Sequence, residues 1–291
     1  MLGEIRGEVR FKEPLAFHTS LRCGGPADIF IIPQDVDDVR KTLMFADKEK
    51  LPVALLGSGH NTVVKDRGFR GIVLKIEGCL GRMEFHGEEV TIGCGAGLST
   101  MIREAAAIGL GGIECLVGIP ATVGGALAMN AGTHDGAIWD FVSAVYFLHA
   151  DGTIGELKPA PGFSYRTFAL PTGAILLGVR LQLHRKPQRE ILAEIRARLK
   201  HKKATQPLAL AAVGCTWKNP DYDQAAKLLE KAGLRGKRVG GAEISAKHAN
   251  FILNRGGATA QDVLGLLDLA FERVHNQTGI RLTTELRVLG E

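Results

Sequence analysis

The stretch "GCTWKNP" (214–220) gathers a thiol, a cation, an amide and an indole into seven residues. A free cysteine titrates near 8.5, so Cys215 is mostly protonated at neutral pH and can donate a proton. The same cysteine would serve equally as a small apolar core residue. Lys218 and Asn219 add a cation and an amide beside it. In "FSYRTF" (163–168), Tyr165 adjoins Arg166, whose guanidinium fork matches a carboxylate or phosphate. A solvated surface arginine would read the same way. Glu285, in "TTELR", opens an apolar strand, where a solvated strand end is the simpler account. His248 fits a satisfied core histidine as well as an active one.

Two glycine-rich stretches suggest ligand contact. Gly57-Ser58-Gly59-His60-Asn61 follows a buried strand, and adjacent glycines allow successive N–H groups to face one anion. The stretch is neither a dinucleotide fingerprint nor a Walker loop, and a hairpin turn would account for it too. The longer "GIECLVGIPATVGGALAMNAG" (112–132) contains Gly118, Ile119, Pro120, Val123, Gly124, Gly125, Ala126 and Asn130. Pro120 stiffens the turn, and Gly124-Gly125 lets backbone approach a partner closely. A purely structural loop of that length is uncommon in a compact domain. Five of the six asparagines (Asn61, Asn130, Asn219, Asn250, Asn254) lie in or beside such motifs. Their amides serve either ligands or tight turns.

The elements that must position these residues are of mixed type. A strand at 27–33, a helix at 35–50 opened by acids, and a strand at 51–57 form a first unit. Strands follow at 71–76, 89–93, 142–150 and 174–184, interrupted by a helix at 98–109. Helices are expected near 188–202, 221–233 and 259–277, with a last strand at 285–290. This order predicts an α+β fold. A polar, proline-containing stretch at 184–189 marks a boundary. The expected domains are 1–57, 58–186 and 187–291.

The chain has 291 residues and 45% hydrophobic content, enough for a large core. No apolar run approaches membrane-spanning length, and the start lacks a signal-peptide core, so a cytoplasmic protein is expected. Five cysteines without a CxxC pair argue against a disulfide framework and a zinc site. The net charge of +5 suits an anionic ligand. The basic run at 185–203 reads as an amphipathic helix without interleaved aromatics, which speaks against nucleic acid.

Taken together, "HTSLRCGGPADIFIIP", "LLGSGHNTVVKDRGFRGIVLKI", "GIECLVGIPATVGGALAMNAG", "FSYRTF", "GCTWKNP", "GLRGKRVGGAEISAKHANFILN", "ATAQDV" and "ELRVLG" resemble the UDP-N-acetylenolpyruvoylglucosamine reductases. They occur in family order from about residue 18 to the end, in the compact form without the extra substrate-covering loop. The resemblance implies a two-lobed FAD-binding region of the vanillyl-alcohol-oxidase (PCMH) type and then a smaller α+β substrate-binding domain. It implies non-covalent FAD at 57–61 and in the 118–130 loop, NADPH as hydride donor, and a UDP-sugar enolpyruvyl ether as substrate. It assigns Cys215 as proton donor in place of the usual serine. Arg166 would hold the substrate carboxylate, and Glu285 would assist it if protonated or bridged by water. Tyr165, Lys218 and Asn219 would contact substrate, with the basic helix end near Lys203 adding charge. A monomer without membrane or nucleic-acid partners is expected.

Three positions depart from the family pattern: Cys215 for serine, Ala121 for glycine and His60 for serine. A thiol at 215 is expected to be open to oxidation and alkylation. His60, in "GSGHN", resembles the histidine that related oxidases link to flavin, so a covalent-flavin oxidase is the rival reading.

Overall fold

A computed structural model describes residues 2–78, 80–158, 171 and 173–291. Arg166 and Tyr165 lie outside the described residues. The chain divides into two compact units, each built from separated segments. The first comprises Met1–Arg10, Phe30–Ser58 and Val73–His201; the second comprises Phe11–Ile29, Gly59–Ile72 and Lys202–Glu291. Strand and helix are mixed in both, giving the expected α+β class.

In the first unit, helix α1 (Val36–Glu49) starts where the Asp35 carboxylate accepts from Asp37 N and Asp38 N. It ends at Lys50 in the left-handed region. A strand (Val53–Leu56) then leads toward the first glycine stretch. The centre of the unit is a five-stranded antiparallel sheet ordered Ile154–Leu157, Val142–Leu148, Ile175–Gln182, Glu89–Gly93, Met83–His86. Strand Ile175–Gln182 is central and apolar almost throughout, as a strand covered on both faces must be. Helix α2 (Leu98–Ala107) buries Leu98, Met101, Ile102 and Ala105, a spacing of three and four that gives it one apolar face. Helix α3 (Val123–Ala128) is short and is capped by the Thr122 hydroxyl.

Helix α4 (Gln188–Thr205) carries the basic run; its only buried residue is Ile191, so it is a largely solvated helix. In the second unit, a three-stranded antiparallel sheet (Arg238–Val239, Ala242–Ile244, Ile252–Asn254) packs with helices α5 (Ala225–Lys231) and α6 (Ala260–Thr278). Their core holds Trp217, Leu228, Leu229, Ile252, Val263, Leu266 and Val274. A capping box of Thr259 and Asp262 starts α6, and Asp66 accepts from Ala260 N and Gln261 N at 2.8 and 3.1 Å. Strand Thr62–Val64 pairs in parallel with Arg287–Leu289, so the end of the chain is locked beside the second half of the first glycine motif.

Several elements are shorter than the sequence pattern suggests, among them α5 and the last strand. Helix α5 begins at Ala225 rather than 221, because residues 220–223 form a turn (Asp223 N–H to Pro220 O) and Asn219 Oδ1 accepts from Ala225 N. The last strand begins at Arg287 rather than 285, because residues 284–285 bond to Thr216 instead.

Candidate active site

In the second unit, residues 213–218 run as an extended segment between two partners. On one side, Val213 N–H donates to Ile252 O at 3.1 Å and Thr216 N–H to Asn250 O at 2.8 Å. On the other, Lys218 N–H donates to Thr283 O, and Thr216 O accepts from Glu285 N–H, both at 2.8 Å. Thr216 and Trp217 are buried, while Cys215 beside them is exposed. Asn61 Nδ2 donates to Glu285 O at 2.9 Å, and Gly214 N–H donates to His60 O at 3.3 Å. His60, Asn61, Cys215 and Glu285 are thereby brought onto adjacent strands of backbone.

The Cys215 thiol reaches solvent yet is densely surrounded by protein. That desolvation, with the charge of Glu285 adding to it, pushes the thiol up to about 11; Lys202 opposes the shift. The thiol therefore keeps its proton throughout the neutral range. Oxidation and alkylation of this exposed thiol both need the thiolate, so the shift slows them near neutral pH. The cation felt by the thiol is Lys202; the carbonyl of Lys203 instead accepts from Lys247 Nζ at 2.6 Å. Lys218 is partly buried and Asn219 exposed, with the Asn219 amide oxygen engaged at the start of α5.

Gly59 has φ +71°, and a Cβ there would lie 2.2 Å from His18 O. Only glycine lets the loop pass this close to the 18–20 segment. Ser20 fastens it, with N–H to Gly59 O at 3.2 Å and hydroxyl to Ala212 O at 2.7 Å.

In the first unit, Gly57 and Ser58 lie against the 118–130 loop. A Cβ on Gly57 would meet the Thr122 hydroxyl at 2.7 Å, and Ser58 Oγ donates to Pro120 O at 3.3 Å. Lys75, itself buried, donates to Gly57 O at 2.7 Å. The helical N–H groups of Val123, Gly124 and Gly125 are spent inside the protein, on Ala96 O, Cys94 O and the Thr122 hydroxyl. The open donors lie just before the helix: the N–H groups of Ser58, Gly118 and Thr122 are bonded to none of the described residues. Unbonded backbone donors on two loops held together by the Ser58–Pro120 bond suit a diphosphate-bearing cofactor such as FAD. Ile119 N–H is used on Leu116 O, Ala126 is buried, and Asn130 Oδ1 accepts from Trp139 N.

The asparagine amides resolve toward structure: those of Asn61, Asn130, Asn219, Asn250 and Asn254 each hold a protein backbone group. Ser20, Lys75, Thr216 and Thr284 organise the loops without having been singled out in the sequence. Among the described residues no group of three or more His, Cys, Asp or Glu is placed to hold a metal, and no helix is long and apolar enough to cross a membrane.

Residues 27–158 match the family model of the FAD binding domain, and residues 206–289 match that of the UDP-N-acetylenolpyruvoylglucosamine reductase C-terminal domain. The chain is 42% identical to UDP-N-acetylenolpyruvoylglucosamine reductase 2 of Symbiobacterium thermophilum, covering 98% of this chain and 93% of that one. It is 44% identical to the reductase of an Anaeromyxobacter species, covering 99% and 90%. This chain belongs to the UDP-N-acetylenolpyruvoylglucosamine reductase family. The reductase from Thermus caldophilus has the same fold, with a TM-score of 0.83 at 36% identity over 98% of this chain and 100% of that structure. The rival covalent-flavin oxidase is not favoured, because the last third of the chain matches the domain particular to the reductases. FAD is the cofactor that the first match brings with it.

Proposed function

We infer that the protein is an NADPH-dependent flavin reductase. It converts the enolpyruvyl ether of UDP-N-acetylglucosamine to UDP-N-acetylmuramate in peptidoglycan precursor synthesis. We assign it to the cytoplasm as a monomer. The observation that carries the reading is Cys215: a solvent-accessible thiol held protonated at neutral pH, with Glu285 beside it, in a chain that also carries a loop pair suited to FAD.

Gly57, Ser58, Gly59, His60 and Asn61, together with Gly118, Ile119, Pro120, Val123, Gly124, Gly125, Ala126 and Asn130, are the residues assigned to FAD. When bound, FAD supplies hydride transfer from NADPH to the vinyl methylene carbon of the substrate. Addition there leaves negative charge on the neighbouring carbon and its carboxylate. Cys215 gives its proton to that carbon. A thiol is a stronger acid than the serine hydroxyl usual at this position, so donation survives the exchange. Arg166 holds the carboxylate and offsets the developing charge, an electrostatic contribution worth about 3–4 kcal/mol for a single preorganised donor. Glu285 would assist the same carboxylate when protonated or through a bridging water. Tyr165, Lys218 and Asn219 take the sugar and diphosphate.

An anaerobic visible spectrum tests the reading. NADPH should bleach the flavin band, and UDP-N-acetylglucosamine enolpyruvate should restore it. Recovery only on admitting air would point to another acceptor and overturn the assignment.

A further inference from the structure

Among the described residues, neither the N–H nor the carbonyl of Cys215 is hydrogen-bonded. The position of the thiol is therefore set by its neighbours. Before it, Gly214 N–H donates to His60 O and Gly214 O accepts from the Thr216 hydroxyl, both at 3.3 Å. After it, one buried side chain grips two successive peptides. Asn250, 4% exposed, accepts from Thr216 N at 3.1 Å and Trp217 N at 2.8 Å through Oδ1. Its Nδ2 donates to Trp217 O at 2.9 Å. An amide does this with its acceptor and donor on separate atoms of one short side chain. Asn250 is in turn oriented from behind, its N–H donating to His248 Nδ1 at 3.3 Å. Burial pushes His248 below its ordinary value, which preserves that acceptor.

We propose that Asn250 is a positioning residue for Cys215, fixing the two peptides that follow the thiol so that the proton is delivered to one carbon. The proposal rests on the reductase reading. A displacement of about 1 Å at a reacting group costs about a hundredfold. Asn250→Ala is therefore expected to slow substrate-driven reoxidation of the NADPH-reduced enzyme by about 10- to 100-fold, leaving reduction by NADPH within about twofold. Asn250→Ser, which keeps one polar atom in the clamp, should fall between Asn250→Ala and wild type. Asn254→Ala, which removes an amide bonded to Gly256 N, Ala258 N and Leu21 O in the same unit, should leave both half-reactions unchanged.

A second readout does not depend on turnover. Iodoacetamide labelling of Cys215, followed by mass spectrometry across pH, reports the thiol directly. In Asn250→Ala and Asn250→Ser the labelling curve should move to lower pH, toward the ordinary thiol value of 9.0. Unchanged labelling with unchanged reoxidation, or equal slowing of both half-reactions, would overturn the proposal. Wild-type enzyme that substrate fails to reoxidise would instead overturn the functional reading, and the labelling curves would still decide the role of Asn250.

Discussion

The loop pair of the first unit and the cysteine segment of the second solve opposite problems. Around Gly57 and Thr122 the protein closes two loops on each other and leaves backbone donors of Ser58, Gly118 and Thr122 open. Around Cys215 nearly every flanking peptide is bonded, and the reactive residue alone is left without a bond. The first arrangement leaves backbone donors open; the second fixes a frame and exposes one side chain from it. On the proposed function, a cofactor cradle is written in glycines, whereas a proton donor needs distant side chains to hold its neighbours still.

Substitutions at the loop pair should break the first arrangement and spare the second. The largest effect is expected for Gly57→Val. Its Cβ would lie 2.7 Å from the Thr122 hydroxyl, so the loops must part. Overpacking of this kind costs about 1–3 kcal/mol, or about tenfold or more in FAD affinity by titration. The labelling curve of Cys215 should not move. Thr122→Ala removes the cap of α3 and should lower stability by about 1 kcal/mol in urea unfolding, with a smaller loss of FAD.

The comparison sharpens with pH. The folded thiol of Cys215 lies above its ordinary value, at about 11 against 9.0. The folded state therefore holds its proton longer, and this contribution to stability is complete below pH 9.0 and is lost as pH rises toward 11. Alkylation should be slow at pH 8 and rise steadily above it. Glu285→Gln removes a charge that raises the thiol and should shift the labelling curve to lower pH. No movement would mean that Glu285 does not act on the thiol.

Much of the architecture is legible in the residues. Helices α1 and α6 follow from acids or a Thr–Asp box at their starts, and α2 from its apolar spacing of three and four. The long strands Val142–Leu148 and Ile175–Gln182 follow from their apolar runs. The strands of three residues, Thr62–Val64 and Ile252–Asn254, are too short to carry a period, and contacts distant in sequence create them. The division of the chain has the same character. Segments such as Phe11–Ile29 join residues far along the sequence, whereas reading by chain order gives successive blocks. Within the candidate site, Cys215 and Glu285 stand out by type. Thr284 does not, and Asn250 stands out only as one of five motif asparagines, since their roles arise from bonds to Thr216 that span 68 and 34 residues.

On the proposed mechanism, Cys215 acts in the second half of the reaction alone. Stopped-flow absorbance on Cys215→Ala measures this directly, with flavin reduction by NADPH and reoxidation by UDP-N-acetylglucosamine enolpyruvate followed separately. The predicted result is unchanged reduction with reoxidation slowed by about 100- to 10,000-fold, and substantial recovery in Cys215→Ser. Equal reoxidation rates in wild type and Cys215→Ala would remove the thiol from the mechanism.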